Sequence, residues 1–74
     1  MYSLYHNKED NEIEVKKAHK ALQNVKYKEE ITRYNSYYYL CLHRKPLIEL
    51  ANQMREAWIK EYEDKINDLK NLKI

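Results

Sequence analysis

The sequence predicts an all-α chain: a hairpin of two long helices, over about residues 8–43 and 46–72, that associates as a dimeric bundle. Three observations carry this expectation. The 74 residues contain no glycine and one proline, so the tight hairpin turns that lean on glycine are disfavoured. Leucine, lysine, glutamate, glutamine, alanine and methionine, all good helix formers, together supply 36 of the 74 residues. Apolar residues also recur at helical spacing through both halves of the chain.

Met1 to His6 shows no helical pattern, whereas Asn7 and Asp10 are spaced like an N-cap and its N3 partner. The first helix is therefore expected to start near Lys8, with Glu9, Asp10, Glu12 and Glu14 at its electropositive end. Val15, Ala18, Leu22 and Val25 then form one apolar stripe. Projected at about 100° per residue, Lys16, Lys17, Lys20 and Lys28 fall on the opposite face.

Past Val25 the first stripe lands on polar residues, and a second one begins at Tyr27 and runs through Ile31, Tyr34, Tyr38 and Leu42. Either this helix kinks near 28–30, or it is continuous and its halves face different neighbours. The lack of glycine or proline there favours continuity. The run Ser36 to His43 reads as helix, with a β-strand as its alternative, since short apolar runs are ambiguous and a strand would need pairing partners.

Pro46 interrupts the pattern and suits the first turn of a new helix, expected to begin at Pro46 or Leu47. Its stripe is Leu47, Ala51, Met54, Trp58, Tyr62, Ile66 and Leu69, flanked by Leu50 and Ile59. Glu56/Lys60 and Glu61/Lys65 support its outer face at i, i+4. Two such rods share only one seam. The leftover tyrosine stripe thus calls for a second copy or another protein to cover it.

Size and chemistry narrow the function classes. A chain of 9.2 kDa has room for a single small domain, residues 1–74. Without glycine there is no phosphate-cradling loop, dinucleotide fingerprint or serine nucleophile elbow. Cys41 and His43 at i, i+2 would diverge on a helix and make no metal pair, and Asp64 and Asp68 sit among lysines as a solvated face. No catalytic residue, metal or cofactor is therefore assigned. A lone cysteine, with no apolar run long enough for a signal peptide or a membrane span, reads as a cytoplasmic, non-membrane chain.

What remains is recognition. Tyrosine and arginine are enriched at interface hot spots, which singles out Arg33, Tyr34, Tyr37, Tyr38, Tyr39 and Arg44, with Trp58 on the second helix, as a protein-binding surface. Lys, Asn, Ile and Tyr supply 32 of the 74 residues, an AT-rich signature. In that general composition the chain is similar to small phage or mobile-element accessory proteins that bind and modulate a host protein. Two alternatives stand beside this reading. One is a small nucleic-acid-binding regulator using Lys16, Lys17, Lys20 and Lys28; the other is a structural subunit of a larger assembly.

Overall fold

The computed structural model describes residues 1–22 and 25–72 and overturns the all-α helical hairpin: the fold is α+β. Strands β1 (Tyr2–Asn7), β2 (Glu12–Lys17), β3 (Thr32–Arg33) and β4 (Tyr38–Cys41) form one antiparallel sheet in the order β2-β1-β4-β3. A 3-10 turn at Lys20–Leu22 lies between β2 and β3, and helix α1 (Arg44–Lys70) closes the chain. The helix expected over 8–43 is absent from the described part of that range; Gln23 and Asn24 lie outside the described residues.

The N-cap expected at Asn7 is a turn instead. Asn7 Oδ1 accepts the backbone N–H of Asp10 at 3.4 Å, and Asn7 Nδ2 donates to the Asp10 carboxylate at 3.0 Å. This is the contact a capping residue makes, and Asn makes it equally well in a turn. Asn11 N–H closes the turn on the Lys8 carbonyl at 3.2 Å, and Asn11 adopts φ 56°. Asparagine is among the few residues that enter the left-handed region at small cost, so this hairpin reverses without glycine.

The neighbouring strands follow from alternation. In Glu12-Ile13-Glu14-Val15-Lys16 the two β-branched residues fall on one face and the charges on the other, with Ile13 and Val15 half-buried and the rest exposed. β1 pairs with β2 from Tyr2↔Lys17 to Asn7↔Glu12, and with β4 from Tyr2↔Cys41 to Tyr5↔Tyr38. Met1 to Asn7 is thereby the pairing partner that a strand at 38–41 requires, and Tyr38-Tyr39-Leu40-Cys41 is strand rather than helix.

The sheet separates two small cores. On one face Leu4, Cys41 and Leu47 are fully buried, with Tyr2, Ile13, Val15, Tyr39, Leu50, Ala51 and Met54 packed around them. Full burial of a leucine side chain stabilises by about 1.5–3 kcal/mol, so Leu4 and Leu47 anchor the sheet–helix contact. On the other face Ala18, Leu22 and Tyr27 fold over Leu40, joined by Val25 and Tyr38. The change of stripe near Lys28 is thus no kink: both stripes belong to strand and irregular segment, and residues of each cover this second face.

α1 begins at Arg44, two residues ahead of Pro46, which sits in the first turn where a missing N–H costs nothing. Its stripe packs on the sheet through Leu47, Leu50, Ala51 and Met54. Near the β1–β2 turn, the Tyr62 hydroxyl donates to Asn11 Oδ1 at 2.7 Å, and Lys8 pairs with Glu61. Beyond that point the sheet ends, because six-residue strands reach roughly 20 Å whereas 27 helical residues reach about 40 Å. The extents of 55 × 20 × 15 Å record the overhang.

Candidate interaction surfaces

Asn35 sets the geometry of the β3–β4 loop. Its Oδ1 accepts the backbone N–H groups of Tyr37 at 2.8 Å and Tyr38 at 2.9 Å, and Tyr34 N–H donates to the Tyr38 carbonyl at 2.9 Å. A side chain that gathers two N–H groups in this way stands in for a backbone turn. Arg33 Nε also donates to the Asn35 carbonyl at 3.3 Å. The loop consequently holds Tyr34 and Tyr37 outward, 47% and 52% exposed.

The tyrosines predicted to act together are divided by the strand pleat. Tyr38 lies on the face away from α1, its ring centroid 5.3 Å from that of Tyr5, and Tyr37 stacks on Tyr5 at 6.4 Å. Tyr39 lies on the α1 face against His6, with ring centroids 5.3 Å apart. Tyr38 and Tyr39 are half-buried packing residues of opposite cores. Of the proposed surface, Arg33, Tyr34 and Tyr37 gather at one loop, while Arg44 is exposed at the start of α1. Trp58 is half-buried and, with Asn11, Ile13, Ala51, Asn52 and Arg55, lines an open groove of about 320 Å³ between α1 and β2.

The lysines do not share a helical face. Lys16 and Lys17 occupy successive positions of β2 and so point to opposite sides of the sheet, Lys20 lies in the 3-10 turn, and Lys28 lies in the irregular segment. All four are exposed, and Lys16 lies 3.8 Å from Glu14. Cys41 is buried, its thiol donating to the Glu29 carbonyl at 3.2 Å. Among the described residues no three His, Cys, Asp or Glu side chains come together as metal ligands, and no helix is long and apolar enough to cross a membrane.

Two buried polar groups stand out. His6 Nε2 has no hydrogen-bond partner among the described residues, and burial, followed by the nearby Arg33 guanidinium, lowers its pKa from the ordinary 6.5. The Tyr27 hydroxyl is likewise unpartnered among them, and burial raises its pKa above 10.0.

The largest apolar exposure is one that the choice of tyrosines and arginines passed over. From Tyr62 at the β1–β2 turn the α1 stripe continues past the end of the sheet as Ile66 and Leu69, and Leu72 follows just beyond the helix; these four are 42%, 51%, 63% and 64% exposed, with Ile59 beside them at 47%. The signal was present in the sequence as the far end of a single stripe; what was missing was the length of the layer it packs on. The β1–β2 turn and the Tyr34–Tyr37 loop lie at this same end of the molecule, since Tyr5 and His6 of β1 adjoin Tyr38 and Tyr37. The chain matches no protein-family model, no curated protein and no solved structure.

Proposed function

We propose that the chain is a non-enzymatic protein-binding module whose partner seats against the overhanging C-terminal turns of α1 and the loop tips beside them. One observation carries this reading: a single helical stripe is covered by sheet from Leu47 to Met54, reaches the β1–β2 turn at Tyr62, and is exposed at Ile66 and Leu69, with Leu72 exposed just beyond the helix. Contiguous apolar side chains left open in this way mark interaction sites, and an amphipathic helix docks through anchors at i, i+3, i+4 and i+7. Tyr37, positioned by Asn35, and Tyr34, whose N–H bonds the Tyr38 carbonyl, supply flanking exposed aromatic contacts.

In this reading the protein acts by occluding or modulating its partner, in the manner of a phage- or mobile-element accessory protein in the cytoplasm. Tyr34 and Tyr37 keep the surface-anchor role in this reading and the exposed α1 stripe joins them, whereas Tyr38 and Tyr39 are half-buried against the two cores. The test compares wild type with an Ile66→Asp/Leu69→Asp variant in pull-downs from the native cell, identifying retained proteins by mass spectrometry. Loss from the variant of a protein that wild type retains is expected, with roughly 1–3 kcal/mol of affinity lost per anchor. Equal retention by both would sink the reading. A partner of nucleic acid would instead show affinity falling log-linearly with salt and a slope lowered by replacing Lys16, Lys17, Lys20 or Lys28.

A further inference from the structure

We propose that the outer edge of β2 pairs antiparallel with β2 of a second copy, centred on Val15, joining two four-strand sheets into one of eight strands. This inference concerns a different surface from the α1 stripe and stands independently of it. β2 is the terminal strand of the sheet, and at six residues it is the long edge; the opposite edge, β3, has two.

The hydrogen-bond phase of that edge is set by its partner strand. Ala18 N–H donates to the Met1 carbonyl at 3.2 Å, in register with Ser3↔Lys16, Tyr5↔Glu14 and Asn7↔Glu12. Antiparallel pairs alternate, so the even-numbered residues of β2 bond inward to β1 and Ile13, Val15 and Lys17 turn their N–H and C=O groups outward. These outward groups have no partner among the described residues. A two-fold axis at Val15 opposes Val15 to itself and Ile13 to the partner subunit's Lys17, each opposed pair exchanging two backbone hydrogen bonds.

Charge selects this register. Along β2 the acids Glu12 and Glu14 precede the bases Lys16 and Lys17, an order that complements itself only when reversed. With Val15 on the axis, Glu14 faces the partner subunit's Lys16 twice over, in the non-hydrogen-bonded positions where side chains lie closest. Glu14 and Lys16 lie on one face, 60% and 52% exposed, and within the chain they meet each other at 3.8 Å; pairing across the seam exchanges that solvent-screened contact for two at directly opposed positions. Centring on Glu14 or on Lys16 would oppose like charges, a parallel pairing would align acid with acid, and odd registers would set α1-facing residues against the other face. The same charges discourage unrelated strands, which is how natural edges avoid indiscriminate pairing.

The Ile13 end of the edge also opens onto the groove lined by Ala51, Asn52, Arg55 and Trp58. In the paired sheet the two α1 helices lie on one face, antiparallel across the new seam, and the methylenes of the partner subunit's Lys17 cover Ile13 at the mouth of that groove.

Sedimentation velocity on the full chain, from the micromolar to the sub-millimolar range at low salt, tests the proposal. Wild type is expected to pass from monomer to dimer and no further. Glu14→Lys alone and Lys16→Glu alone should each weaken the dimer by about tenfold or more, because two symmetric attractive pairs become repulsive. The Glu14→Lys/Lys16→Glu exchange, identical in composition to wild type, should restore it. As a second readout that needs no variant, the amide protons of Ile13, Val15 and Lys17 should gain hydrogen-exchange protection as concentration rises. A monomer throughout, a dimer indifferent to both single reversals, or a dimer lost in Ile66→Asp/Leu69→Asp instead would overturn the proposal.

Discussion

At the scale of residues, asparagine does the work that glycine does elsewhere. Asn7 and Asn35 gather backbone N–H groups with their side chains, and Asn11 takes a positive φ while accepting the Tyr62 hydroxyl. Asn11→Val should therefore destabilise the fold by about 1–2 kcal/mol, the penalty of a side chain forced into the left-handed region. Asn11→Gly should cost less, losing only the Tyr62 bond, and urea denaturation ranks the two. His6 makes a second prediction. Its folded pKa lies below the ordinary 6.5, so between those two values the unfolded chain binds more protons. Its stabilising contribution is complete above 6.5 and is lost as pH falls through the folded value. Urea midpoints at about pH 7.5 and about pH 5.5 should differ in that direction, and the difference should shrink in His6→Gln. The Asn7/Asp10 spacing was legible in the sequence as a side-chain-to-backbone motif, yet nothing local says whether helix or turn follows it.

At the scale of elements, α1 and the strands behaved differently as objects of sequence reading. The α1 stripe was legible because its apolar residues repeat one spacing through 27 helical residues, although Glu61, expected to pair with Lys65, pairs with Lys8 instead. In β2, Val15 served two patterns at once: a helical series with Ala18, Leu22 and Val25, and the strict alternation of Glu12 to Lys16. Alternation prevails because Ile13 and Val15 then share the face that meets α1. The overhang of α1 gives the prediction belonging to this scale. Ile66 and Leu69 belong to neither core cluster and are 51% and 63% exposed, so Ile66→Asp/Leu69→Asp should shift global stability by no more than about 0.5 kcal/mol. Urea denaturation checks this, and a large loss would mean that the stripe serves the fold rather than a partner.

At the scale of the whole molecule, the N-terminal segment is the centre of the fold. β1 pairs on both sides, and Leu4 faces β4 with its backbone and Leu47 and Cys41 with its side chain. Leu4→Pro should therefore abolish the folded state, since proline removes an inner ladder bond and is confined to edges and bulges. A helical hairpin over 8–43 and 46–72 would leave that substitution silent, so circular dichroism and amide dispersion separate the two architectures plainly.

By itself the sequence determined the C-terminal helix with its stripe and the absence of any glycine-dependent active-site loop. Only the tertiary structure decided that Tyr2–Asn7, Glu12–Lys17 and Tyr38–Cys41 are strands, that Tyr38 and Tyr39 are packing residues, and that the uncovered surface lies on α1. The physical reason is the range of the interactions. A helix satisfies its backbone within a few residues, so its pattern is local. A strand is satisfied only by another strand, and here the partner of Tyr38–Cys41 lies at the opposite end of the described chain from α1, in the residues that showed no helical pattern.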